Sequence, residues 1–175
     1  MATWKTEVKG ADLKNLKKFV QNIEKLKQYR VKVGVLGGNY ATGESIASVA
    51  LKHEFGSRKP HTFKYKGEMI TIKSLPTRSF LRVPLRLKIR TLSKMDEVEH
   101  AMLIRGLLTG QVQHPLYMLG LKGEKIVQKA FDTQGFGQWP RNISQRYVEL
   151  KGSDVPLIDT GHLRKSISSE VYRRS

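Results

Sequence analysis

The stretch Val33-Gly-Val-Leu-Gly-Gly-Asn-Tyr-Ala-Thr-Gly-Glu-Ser-Ile-Ala-Ser-Val-Ala-Leu-Lys-His-Glu-Phe-Gly56 decides how the rest of the chain is read. Val31, Val33 and Val35 alternate with Lys32 and Gly34, which is the period of a strand with one face turned inward. Gly37, Gly38 and Gly43 then supply a loop, and Thr42 stands where a cap is wanted for a helix with Ile46, Val49, Ala50 and His53 on its apolar face. Gly56 ends that helix where a left-handed residue is favoured.

Upstream, residues 1–10 read as a flexible arm. Asp12 is then expected to cap a helix with Leu13, Leu16, Phe19, Val20, Ile23 and Leu26 on one side and Lys14, Lys17, Lys18 and Lys25 over the rest. Those lysines form either a solvated face or a surface turned towards phosphates or an acidic partner. Downstream, Ser57-Arg-Lys-Pro-His61 is a basic loop, and Phe63, Tyr65, Ile70 and Ile72 lie in two short strands around the turn Lys66-Gly67-Glu68. Phe63 and Tyr65 alternate with Lys64 and Lys66, giving one aromatic and one cationic face. Such a ribbon can stack on bases, but single-strand binders display more aromatics than this, which argues for core or interface packing.

The second distinctive stretch is Leu75-Pro-Thr-Arg-Ser-Phe-Leu-Arg-Val-Pro-Leu85. Pro84 is tolerated only in the first turn of a helix, so a helix is expected to begin between Leu81 and Val83. Leu81, Leu85, Ile89 and Leu92 then share one face, and Arg82, Arg86 and Arg90 share another at spacings of four. A row of arginines without acids four residues away repels itself unless something anionic lies against it. DNA or an acidic subunit would serve, the alternative being a plain exposed stripe.

Ser93 is placed to cap the next helix, with Asp96, Glu97 and Glu99 in its first turn and Gly110 at its end. This helix is apolar over much of its circumference, which predicts burial between layers or in a subunit contact. Pro115 opens a further helix to about Phe131, in which Gly120 and Gly123 permit another backbone to come close. Residues 133–156 are expected to be a flexible loop region that docks through Phe136 and Trp139. Asp159 or Thr160 is ready to cap a short helix, and Ser168 to Arg173 returns as a final strand. The expected fold is α+β: a single domain over 1–175 with a small antiparallel sheet, an N-terminal helix and several helices packed on it.

Composition bounds the function. The net charge is +17, and residues 1–94 hold 21 Lys and Arg against 6 acids while residues 95–175 hold 11 against 9. A chain so basic in one half repels itself unless it lies against nucleic acid or an acidic protein. The absence of cysteine excludes disulfides, thiol catalysis and Cys-ligated zinc. The first residues lack a signal-peptide core and no run is long enough to span a bilayer, so a soluble protein without membrane contact is expected. His53-Glu54 lacks the second histidine of a helical zinc pair, and His61, His100, His114 and His162 are scattered. No Gly-Lys-Ser/Thr or complete dinucleotide fingerprint follows the first strand, and Asp154 and Asp159 are isolated. The reading is therefore non-enzymatic, with no cofactor and no metal.

Three segments together resemble the virion morphogenesis and tail-completion family of tailed bacteriophages, the group similar to gene product G of phage Mu. They are Val33-Gly-Val-Leu with Glu44-Ser-Ile-Ala-Ser-Val-Ala and His53-Glu-Phe-Gly56, then Leu75-Pro-Thr-Arg-Ser-Phe-Leu-Arg82, then Pro156-Leu-Ile-Asp-Thr-Gly-His-Leu-Arg-Lys-Ser-Ile167. Ser79 stands where that family commonly has proline, and residues 57–77, with the hairpin, look like an insertion. The resemblance implies a structural protein of the virion's head-to-tail junction, assembled in the host cytoplasm as a homo-oligomeric ring around the DNA path, with a hexamer as the expected form. Its partners would be neighbouring head-completion, tail terminator or tail-tube proteins, with genomic DNA close by. The contacts expected are Arg78, Arg82, Arg86, Arg90, Lys14, Lys17 and Lys18 towards DNA or acidic neighbours. Phe136, Trp139, Asp159, Thr160 and Gly161 are expected at subunit interfaces or in internal packing. The alternatives are a sequence-independent nucleic-acid-binding protein and a tail terminator.

Overall fold

The computed structural model describes residues 10–40, 43–142, 144–157 and 161–174, with side chains from residue 13 onward. Among them the order is α1 (Gly10–Lys27), β1 (Tyr29–Val35), α2 (Ile46–Phe55), β2 (His61–Tyr65), β3 (Glu68–Ile72), α3 (Arg82–Leu87), α4 (Ile89–Ser93), α5 (Glu97–Thr109), α6 (Gln113–Asp132), α7 (Gln145–Lys151), α8 (His162–Lys165) and β4 (Ile167–Arg173). This is the expected α+β class with its N-terminal helix. The strands make two two-stranded sheets, β1 with β4 and β2 with β3. The arm expected over residues 1–10 falls outside the described residues but for Gly10, and Thr42, Asp159 and Thr160 also lie outside them.

The chain divides into two compact units. The first takes residues up to 32, residues 95–119 and those from 170 onward; the second takes 33–94 and 120–169.

In the first unit, α1 starts at Gly10, so Asp12 sits within the first turn instead of capping it. Phe19, Ile23 and Leu26 are half-buried, whereas Leu13, Leu16 and Val20 are exposed. Asn22 is buried, and its amide Nδ2 donates to the Leu107 carbonyl at 2.7 Å. That carbonyl belongs to the last turn of α5, where intrahelical partners run out, so the bond ties α1 to α5 and satisfies both groups. The cap of α5 is Asp96, not Ser93, which instead closes α4. The Glu99 N–H donates to Asp96 Oδ1 at 2.8 Å and the Asp96 N–H donates back to Glu99 Oε2 at 2.9 Å. Two unpaired donors are satisfied reciprocally, an advantage a Ser93 start would lack. Gly110, at φ 86°, ends α5 as the sequence predicts. Leu107 is buried, but Val98, Ile104 and Leu108 face water.

The second unit holds the main core. Phe80, Val127, Ala130 and Phe131 are fully enclosed, with Ile46, Ala50, Trp139, Leu163 and Ile167 beside them. The Phe80 and Phe131 centroids are 5.1 Å apart, and Trp139 meets Phe131 edge-on at 5.5 Å. Such aromatic pairs add about 1 kcal/mol to the burial of their surface. Gly123 on α6 lets β1 come close: a Cβ there would stand 2.9 Å from Val33 Cγ2, so the approach is by a strand side chain rather than by backbone.

The β2–β3 hairpin forms around Lys66 and Gly67, at φ 47° and 88°, the left-handed pair that a two-residue turn needs. Phe63 and Tyr65 meet the Tyr147 ring edge-on at 5.5 and 5.1 Å, so the aromatic face packs inward on α7. Arg146 grips both oxygens of Glu68, and Lys66 Nζ donates to the Leu150 carbonyl at 2.7 Å. Within 133–156, expected to be loop throughout, residues 145–151 are therefore helix, capped by Ser144 Oγ accepting from the Tyr147 N–H. The docked hairpin gives that short helix an apolar face to cover.

Candidate anion-facing surface

The surface begins from a buried carboxylate. Glu54 occupies the last turn of α2 and is 4 % exposed. A helix dipole disfavours an acid at that end, so the side chain serves something else. It accepts from Ser79 Oγ at 2.5 Å and from the backbone N–H groups of Phe80, Leu81 and Arg82 at 2.9, 3.0 and 3.0 Å. Arg82 is the first residue of α3, so Glu54 caps that helix from another element and places negative charge at its positive end. Ser79 Oγ in turn accepts from the Val83 N–H at 3.0 Å. A serine at this position supplies a hydroxyl that a proline could not.

Gly56 completes the clamp. It sits at φ 73°, and a Cβ there would lie 2.8 Å from the Leu75 carbonyl. The N–H groups of Ser57 and Leu75 each donate to the other's carbonyl at 2.8 and 2.7 Å. His53-Glu-Phe-Gly56 and Leu75-to-Arg82, separate in the sequence, are thus one hydrogen-bonded block.

Arg78 does not reach the surface. It is 3 % exposed, its Nε and Nη2 donate to the carbonyls of Pro140 and Arg141 at 2.9 Å each, and its N–H donates to the His53 carbonyl at 2.8 Å. Burial draws its pKa below the ordinary guanidinium value, while Tyr147 opposes the shift. The fork geometry of the guanidinium explains why it bridges successive carbonyls inside the fold. The expectation that Arg78 touches DNA or a neighbour is corrected accordingly.

Beside it lies His53, whose Nδ1 is buried without a hydrogen-bond partner among the described residues. Burial, then the charges of Arg78, His61 and Lys52, lower its pKa from 6.5 to about 4. It is neutral at physiological pH.

Arg82, Arg86 and Arg90 are exposed, and no salt bridge joins them to a described residue. The single helix expected beneath them is broken at Lys88, with φ −102° and ψ 18°, into α3 and α4. Leu81 and Leu85 pack on the core, but the break turns Ile89 out of line with them and leaves it exposed. Arg82 lies over the Phe55 ring at 5.3 Å and Lys88 over the Phe136 ring at 4.8 Å. These contacts hold two cations against the protein while their charge remains unneutralised. The run from Met69 to Met95 contains no acid.

Trp139, expected at an interface or in packing, is internal: its indole N–H donates to the Ser79 carbonyl at 2.9 Å. Phe136 packs partly on the core beneath Lys88. Gly161, at φ 72°, precedes α8 and is half-buried. Lys14, Lys17 and Lys18 lie in the first unit, exposed on α1 and without a salt bridge to any described residue. Among the described residues no group of three or more His, Asp or Glu side chains could hold a metal ion, and no helix is long and apolar enough to cross a membrane.

The residue that reading by sequence missed is Glu54, and its signal was the misplaced acid at the end of α2. No protein-family model, no curated protein and no solved structure matches this chain.

Proposed function

We propose that this chain is a non-enzymatic structural protein of the bacteriophage head-to-tail junction, a tail-completion or neck subunit acting as a ring around the DNA path. The observation that carries the reading is how its distinctive segments are used. Ile46 and Ala50, Phe80, and Leu163 and Ile167 come from the three segments that bear the family resemblance, and all five lie in one core. Those segments build a scaffold, and the chemistry left outside is a row of unneutralised cations, Arg82, Arg86, Lys88 and Arg90. Such a row suits a neighbour or a lumen of negative charge.

Electron microscopy of intact particles, with this chain labelled, tests the reading. A label between portal and tail tube is the expected result; a label along the shaft or in the capsid shell defeats it.

The acid-free run from Met69 to Met95 also favours a second reading, a sequence-independent nucleic-acid-binding protein. That protein would hold duplex DNA as an isolated chain, with affinity falling steeply as salt rises. A ring subunit would bind free DNA weakly, because tight lumenal binding hinders ejection.

A further inference from the structure

We propose that α1 and α5 of the first unit are the two halves of a self-association contact, the exposed apolar stripe of α1 in one copy of this chain packing head-to-tail against that of α5 in the next. The inference rests on the multi-copy reading above and deepens it by naming the faces through which copies meet.

The starting point is apolar surface without a cover. Leu13, Leu16 and Val20 recur on α1 at intervals of three and four, and Ile104 and Leu108 recur on α5 at four. They are 48, 58 and 49 % exposed on α1 and 53 and 55 % exposed on α5. The two helices are already joined by a different pair, Asn22 and Leu107. Each therefore presents a second apolar stripe with the spacing of a helix–helix seam. Scattered apolar residues on a surface need no account, but an exposed apolar stripe on each of two helices makes a pair of docking faces.

Charge identifies the occupant. Along α1, Lys14, Lys17, Lys18, Lys25 and Lys27 outnumber Asp12 and Glu24, whereas α5 opens on Asp96, Glu97 and Glu99. Nucleic acid or an acidic protein would suit α1 and be repelled at the start of α5. A basic protein would meet the reverse. A second copy offers lysines to the acids and acids to the lysines, with an apolar stripe between. In a chain of net charge +17, copies repel one another unless contact sets one copy's few acids against the other's bases.

The test is sedimentation velocity on the purified full-length chain over a concentration series. The expected result is a mass above that of one chain. Ile104→Glu with Leu108→Glu should reduce it to the single-chain mass with unchanged far-ultraviolet circular dichroism. Leu13→Gln with Leu16→Gln, on exposed positions of the other helix, should do the same should the first variant not fold. Lys14→Glu with Lys17→Glu should weaken association roughly tenfold in dilute salt, and adding Glu97→Lys should recover part of that loss. A wild-type chain that stays at single-chain mass at every concentration overturns the proposal, as does a folded variant of either helix that associates like wild type. Association through α1 and α5 in a chain absent from the particle junction would defeat the neck reading alone; a single-chain mass in a chain found at the junction would defeat this inference alone.

Discussion

The Glu54 carboxylate accepts a 2.5 Å hydrogen bond from Ser79 Oγ, joining the end of α2 to the start of α3 across 25 residues of sequence. Because Phe80, Leu81 and Arg82 direct their N–H groups at the same carboxylate, the orientation of α3, and with it the direction of Arg82, depends on this one buried acid. Glu54→Ala leaves those donors buried without an acceptor and should cost about 3 kcal/mol or more in denaturant unfolding. Ser79→Ala keeps the three backbone bonds to Glu54, loses the hydroxyl bond and the Val83 N–H bond to Oγ, and should cost about 1–2 kcal/mol. Equal losses from the two substitutions would contradict the assignment of Glu54 as the hub.

His53 makes stability depend on pH. Its folded pKa is about 4 against an ordinary 6.5, so the unfolded chain takes up a proton first as pH falls. The stability linked to this group is fully present above pH 6.5, declines as the pH drops towards 4, and is lost below that. At 1.36 kcal/mol per unit the loss approaches about 3 kcal/mol. Unfolding midpoints for wild type and His53→Leu should diverge across that window, the variant showing the flatter profile. Parallel profiles would show that the histidine does not carry the effect.

Phe80 is fully enclosed, and Phe80→Ala should destabilise by about 3–5 kcal/mol through lost contacts and the cavity left behind. Trp139→Phe retains much of the ring packing on Phe131 but removes the indole bond to the Ser79 carbonyl. That change should cost about 1–2 kcal/mol, because a buried carbonyl is left without its donor. Thermal or denaturant unfolding checks both.

Reversing Arg82, Arg86 and Arg90 to glutamate should leave the fold intact, since no described acid pairs with them. Loss of particle assembly or infectivity is the expected result in a complementation assay. Normal yields of infectious particles from a chain that carries all three reversals would remove the electrostatic basis of the proposed function.

Much of the architecture was legible as local pattern. The alternation of Val31, Val33 and Val35 marks β1, the 46–55 stretch marks α2, Lys66-Gly67 marks the hairpin turn and Gly110 marks the end of α5. These depend on backbone preference and side-chain period over a few residues, which neighbours in sequence suffice to set. The concentration of positive charge in residues 1–94 is likewise a property of composition.

What the sequence by itself determined, then, was the class of fold, most of its elements and the sign of its charge. Only the tertiary structure decided which charged residues remain outside. Arg78 and Arg82 are four apart in one basic run, yet Arg78 is taken into the fold by the carbonyls of Pro140 and Arg141 while Arg82 is left in solvent over Phe55. Glu54 became the cap of α3, Trp139 became core, and Leu13, Leu16 and Val20 stayed exposed on a helix whose periodicity predicts burial. Each outcome depends on which distant segment comes to lie alongside, and burial and hydrogen-bond satisfaction over such distances are settled by packing rather than by the local chain.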